Sequence, residues 1–216
     1  MSLVEIIEGP LWIAASGFFL VFAAWRLAVI VFSGRAGGKA RAAGSPAMGA
    51  ARSIVGRSFV RRMFLRRPKV WFVTLAGYSF HLGLFALILF AEPHITFIRE
   101  RILGFGWSPL PQWGFIVAAE FAFAGLLALW LRRFLDPVVR LISRPDDHAA
   151  AGLTFLVMLT GCMALGEQSA FLRITHLLTV EIWLVYFPFS SLMHIFTWPM
   201  SRGITGAVAG RRGTDF

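Results

Sequence analysis

The sequence predicts an all-α integral membrane bundle of five transmembrane helices, with the N-terminus outside and the C-terminus cytoplasmic. Three observations carry that expectation. Of 216 residues, 57% are apolar and only 15% charged, whereas an ordinary soluble domain carries about 25% charge. The apolar residues fall into blocks of about 20, the length that crosses a bilayer as a helix. Positive charge collects in alternate connections. Helices are expected over strands because each helix satisfies its own backbone groups in hydrocarbon, and no segment shows the strict alternation of a barrel strand.

The first span, 10–32, follows Glu5 and Glu8 rather than a basic segment, and its apolar run is too long for a signal peptide. It is expected to remain as a permanent helix. The connection 33–69 holds ten basic residues and no acidic one. Its Gly/Ala/Ser-rich part predicts a flexible loop. Residues 51–67 read either as topogenic charge or as a basic amphipathic helix on the inner membrane surface. The remaining spans are 70–91, 112–131, 149–168 and 176–199, and the chain 1–216 is expected to form one membrane domain.

Arg132, Arg133, Arg140 and Arg144 lie between the third and fourth spans, and Arg202, Arg211 and Arg212 in the tail. With the 33–69 connection, one side gathers 17 basic residues, while the other has Arg99, Arg101 and Arg173. Lys and Arg accumulate on the cytoplasmic side, which sets the orientation. The net charge of +10 is thereby explained as topology in a lipid bilayer, with no nucleic acid expected. The single cysteine, Cys162, excludes an intramolecular disulfide, a CxxC pair, a cysteine-ligated iron–sulfur cluster and a zinc ribbon.

Four of the five histidines lie in or at the ends of the second and fifth spans: His81 and His94, His176 and His194. Ionisable residues inside a membrane mark function by default. His176 and His194 are 18 residues apart, five helical turns, so an uninterrupted helix places both on one face about 27 Å apart. His81 and His94 are 13 apart, about 20 Å along a helix. Spans two and five run antiparallel in this topology. His94 therefore pairs with His176 near the outer surface, and His81 with His194 closer to the cytoplasm.

A bare zinc ion needs three or four ligands, and each level offers two. Two imidazoles suit an iron porphyrin, which brings its own four equatorial nitrogens and accepts imidazole as axial ligand. With both axial positions filled such a group is an electron carrier, and without a CxxCH motif it is haem b. Pro188 removes the hydrogen bond to the Leu184 carbonyl and predicts a kink in the fifth span. That kink helps to absorb the mismatch of about 7 Å between the two spacings. His148, beside Asp146 and Asp147 in a connection, is expected to be solvated.

The stretch RITHLLTVEIWLVYFPFSSLMHIFTWPMSRG (173–203) resembles the last helix of the gamma subunit of respiratory nitrate reductase. It is also similar to related cytochrome b anchors of sulfite-reduction and heterodisulfide-reductase-like complexes. The shared features are His176, the 18-residue interval, and the ending Pro188-Phe189-Ser190, Leu192, His194 and Ile195. The segment SFHLGLFALILFAEPH (79–94) resembles that family's second helix, with His81 at the first ligand position. The resemblance implies two b haems, the inner held by the irons' ligands His81 and His194, the outer by His176 and a histidine of helix two. In the family that second histidine follows the first by ten residues, a position occupied here by Ala91. His94, three residues later, is expected to substitute; otherwise the outer haem is missing or bound differently. Ser191 stands where relatives often carry a basic residue.

The resemblance further implies quinol oxidation near the outer haem and electron transfer inward to cytoplasmic iron–sulfur and catalytic subunits, in the inner membrane of a prokaryote. Candidate groups for quinol and its protons are Glu92, Glu167 and Gln168 near the outer side, with Glu120 and Glu181 deeper. Arg26, Lys69 and Arg132 are candidates for inner haem propionates, and Arg99, Arg101 and Arg173 for outer ones, against simple snorkelling to headgroups. No soluble catalytic domain is expected in this chain, which is read as one subunit of a larger oxidoreductase. Two other readings stay open: a single-haem anchor using His81 and His194, and a haem-free scaffold or transporter subunit whose histidines hydrogen-bond between helices.

Overall fold

The computed structural model describes residues 2–33, 42–56, 68–165 and 169–214. These residues form helices and turns with no strand among them. The helices are α1 (Leu3–Phe32), α2 (Pro46–Val55), α3 (Pro68–Phe90), α4 (Glu92–Ile98), α5 (Gln112–Leu135), α6 (Pro137–Ile142), α7 (Pro145–Ala164), α8 (Ala170–Tyr186) and α9 (His194–Arg211). Five helical segments are long and apolar enough to cross a membrane: α1, α3, α5, α7, and α8 with its continuation to Phe189. The all-α class and the five spans expected from composition are thus present.

The boundaries differ where proline and capping chemistry decide them. In α1, Pro10 lies within a π-helical turn, Ile7–Leu11, because a residue without an N–H cannot close the regular hydrogen-bond ladder. The third-to-fourth connection is not a plain loop. Asp136 accepts from the Val138 and Val139 N–H groups at 3.1 and 3.4 Å and so starts the short α6, one helix turn beyond α5. Pro145 opens α7, and the Asp147 carboxylate accepts the Arg144 N–H at 3.0 Å. Of the basic stretch 51–67, the described residues reach only Gly56, where α2 has just ended.

The residues group into two compact units, one of Met1–Ser16 with Phe72–Val185, the other of Gly17–Trp71 with Tyr186–Phe216. The first unit has its core where α3, α5 and α7 meet. Leu87, Ala122, Leu126 and Met158 are buried there, under Phe80, Leu84, Phe115, Phe123 and Phe155. Hydrocarbon offers no hydrophobic drive between helices, so close van der Waals approach must hold them. Gly83 and Gly125 supply it. A Cβ on Gly83 would stand 2.6 Å from the Ala118 carbonyl oxygen, and one on Gly125 2.6 Å from that of Ala76.

In the second unit, Phe18 and Phe22 pack on Phe189, and Phe19 on Phe187 and Phe196. Helix α2 lies along α9 through small residues. A Cβ on Gly49 would collide with the Gly206 carbonyl, and one on Gly210 would come 2.9 Å from the Gly49 Cα. Ser53 is buried at this contact.

Candidate functional site

The site is built from two interruptions of helix that the sequence reading treated as continuous. The first follows Phe90. Pro93 has no N–H for the Leu89 carbonyl, so α3 stops, Ala91 turns extended (φ −73°, ψ 132°), and α4 begins at Glu92. The expected rise of about 20 Å from His81 to His94 therefore does not apply, since it assumed one helix. A helix end leaves its last four carbonyls without partners, and here each finds a substitute. His94 Nδ1 donates to Leu87 and Ile88 at 3.2 and 3.0 Å. Trp107 Nε1 donates to Leu89 at 2.7 Å, and the Leu110 N–H to Phe90 at 3.1 Å. The histidine three residues past Ala91 is folded back onto the turn before it.

His94 thereby meets His176 of α8. The ring centroids are 6.3 Å apart with planes inclined by 26°. An imidazole nitrogen bonds a transition-metal ion at about 2.0–2.1 Å, and with the ring centre about 1.1 Å behind it, two rings gripping one ion stand roughly 6.3 Å apart. On the α7 side the His176 ring rests against Gly161, where a Cβ would lie 2.9 Å from Cε1, and its Nδ1 is 3.2 Å from Thr160 Oγ1. Two further bonds tie α7 to α8: Thr160 Oγ1 to Thr179 Oγ1 at 2.9 Å, and Trp183 Nε1 to Thr154 Oγ1 at 3.1 Å.

The second interruption follows Tyr186. Pro188 ends the α-helix, Phe187–Phe189 and Ser191–Met193 are 3₁₀ turns, and Ser190 between them is extended (φ −107°, ψ 174°). Arg26 donates to the Pro188 carbonyl, and Ser190 Oγ donates to Phe187 at 2.9 Å. The fifth span expected at 176–199 is accordingly Ala170–Phe189, and His194 opens a new helix. The five-turn argument that set His176 and His194 on one face fails for the same reason: the 3.6-residue period does not survive an extended residue.

The hydrogen bonds sort the histidines chemically. His81 Nδ1 donates to the Gly77 carbonyl at 2.7 Å, and His194 Nδ1 to that of Ser191 at 2.8 Å. A carbonyl only accepts, so in His81, His94 and His194 the proton sits on Nδ1 and the Nε2 lone pair is the one available to a metal. This is the outer-shell arrangement usual for ligating imidazoles. His148 shows the reverse. It was expected to be solvated, but the start of α7 lays it half-buried against α5, where Phe134 is 4.7 Å away and the Trp130 indole donates to its Nδ1 at 3.2 Å. Indole has no acceptor, so His148 Nδ1 carries the lone pair and is already engaged.

Among the described residues no three His, Cys, Asp or Glu side chains converge on a bare ion. Of the expected pairs, the structure brings His94 and His176 together within the first unit; His81 belongs to that unit and His194 to the second. Glu92 is exposed on the first turn of α4, and Glu120 is exposed on the α5 face that carries Trp113, Val117 and Phe121, away from buried Ala122. Glu167 and Gln168 lie outside the described residues. Glu181 is buried with neither oxygen hydrogen-bonded. Arg173 is paired with Glu8 at 2.8 Å, Arg132 with Asp136 at 3.6 Å and Arg133 with Asp147 at 3.3 Å. Thr160, Gly161 and Trp107 escaped the sequence reading because a lone threonine, glycine or tryptophan in an apolar span carries no spacing signal.

No family model matches the chain. A protein of Nitratidesulfovibrio vulgaris (strain Hildenborough) is 31% identical over 138 residues, which is 62% of this chain and 60% of that protein. The chain thus matches about three-fifths of that relative's length, and the functional argument rests on the residues of the site.

Proposed function

We propose that this protein is the membrane cytochrome b subunit of a respiratory oxidoreductase, similar to the nitrate reductase gamma subunit and related anchors. It carries electrons between the quinone pool and a cytoplasmic iron–sulfur or catalytic partner. The observation that carries the reading is the His94–His176 pair: two near-parallel imidazoles 6.3 Å apart, with the His94 proton held on Nδ1 by two carbonyls. That pair also answers the departure at Ala91, because the helix break brings the later histidine back by one turn. Haem b supplies, when bound, a one-electron carrier with both axial positions filled.

His94 and His176 would hold the outer haem, and His81 and His194 the inner one. Glu92, exposed two residues before His94, is the candidate acceptor of quinol protons at the outer surface. The basic connections place the C-terminus and the partner-docking surfaces in the cytoplasm of a prokaryote. Electrons then move inward from quinol oxidised outside, an electrogenic step of about 2.3 kcal/mol per charge per 100 mV.

The test is the absorption of the purified protein, oxidised and reduced, with haem counted per chain. A b-type signature at two haems per chain is expected, and reporter fusions should place the C-terminus inside. Protein made in haem-replete cells without any haem absorption would overturn the reading.

A further inference from the structure

Three of the proposed ligand histidines fix their tautomer on backbone carbonyls; His176 does not. Its Nδ1 faces only a side chain within hydrogen-bond reach, Thr160 Oγ1 at 3.2 Å. A threonine hydroxyl has one proton to give and two lone pairs. Thr160 Oγ1 lies 2.8 Å from the Leu156 carbonyl and 3.2 Å from that of Val157, both obligate acceptors. The nearer carbonyl takes the hydroxyl proton. Thr179 cannot release it, because its own hydroxyl donates to the His176 carbonyl at 2.8 Å. What remains on Thr160 toward the imidazole is a lone pair, so the proton between them belongs to His176.

We propose that Thr160 is a positioning residue: its hydroxyl accepts from His176 Nδ1, fixing the tautomer with the Nε2 lone pair exposed for metal and setting the ring against Gly161. Helix α7 thus enters the site without contributing a ligand. This rests on the reading of His176 as an iron ligand, but the tautomer itself is a property of the chain alone. An acceptor on the far nitrogen makes the near one more basic and favours the oxidised iron. Removing it should therefore raise the potential of the outer haem.

The experiment uses the full chain in detergent, labelled with ¹⁵N-histidine and stripped of haem, then titrated with haem b. The wild-type His176 signal should be that of the Nδ1–H tautomer. In Thr160→Val the signal should shift toward the Nε2–H form, with haem affinity at the outer site down about tenfold or more and the residual outer haem at a higher potential. Thr160→Ser should restore all three. Thr179→Val, which removes a neighbouring hydroxyl bonded to backbone rather than to the ring, should leave the tautomer unchanged.

A Nε2–H tautomer in the wild type, a wild-type tautomer in Thr160→Val, or an equal shift in Thr179→Val would each overturn the proposal. Failure of the wild-type chain to bind haem would instead remove the functional reading. The tautomer measurement would still decide the role of Thr160.

Discussion

Gly161→Ala separates the stability of the bundle from the integrity of its site. The added Cβ would stand 2.9 Å from His176 Cε1, and ordinary contact begins at 3.4 Å, so the ring must retreat by about 0.5 Å. The obstacle is a side chain, which can rotate, and a modest departure from its rotamer costs about 0.5–1.5 kcal/mol. Against this, replacing glycine by alanine inside a helix gains about 0.5–1 kcal/mol. The two terms nearly cancel, and the apoprotein should melt within a few degrees of wild type. The site is less forgiving, because a binding constellation must be held within about 0.5 Å and the ring displacement alone uses that tolerance. Haem affinity at one of two sites should fall about tenfold or more. The assay is a haem titration beside a thermal melt of the apoprotein in detergent. Gly17→Ala serves as control, since a Cβ there meets nothing within 4 Å. Unchanged haem affinity in Gly161→Ala would refute the argument that this glycine makes room for a ligand.

Other perturbations test separate parts of the structure. His94→Ala should lower haem content from two per chain to one, while His148→Ala should leave it unchanged, because the latter's Nδ1 is bound to Trp130; equal effects would remove the distinction drawn from tautomers. Gly83→Leu should abolish cooperative melting or destabilise by about 2 kcal/mol or more, because its Cβ meets the Ala118 backbone, which cannot yield; a wild-type melt would show that α3 and α5 are not in such close contact. Trp183→Phe should cost about 0.6 kcal/mol, the usual worth of one hydrogen bond between membrane helices, measured against Thr154→Val and the double variant. A purely additive double variant would mean that the two side chains do not interact.

Much of the fold was legible because a bilayer imposes a one-dimensional constraint. Some twenty apolar residues in a row must cross it as helix, and α1, α3, α5 and α7 lie where composition puts them. The site was legible only in part. His94 and His176 can be named as a pair from their positions at the outer ends of antiparallel spans. The measure used to relate residues along each span was the regular helix, and at Pro93 and Pro188 that measure fails. Proline removes one donor, and what the chain does next depends on which neighbours satisfy the abandoned carbonyls: Trp107, His94 and the Leu110 N–H in one place, Arg26 and Ser190 in the other.

The amino-acid sequence by itself therefore determined the class of molecule, the number of its crossings and the residue types able to bind a metal. All three follow from hydrophobic length and side-chain chemistry, which need no partner to be defined. The tertiary structure alone decided which imidazole nitrogen holds the proton, how His94 returns to the level of His176, and that Thr160 and Gly161 of α7 border the ring. Those are matters of who sits within hydrogen-bond or van der Waals reach across helices, and no spacing along one chain segment encodes the neighbour that packing supplies.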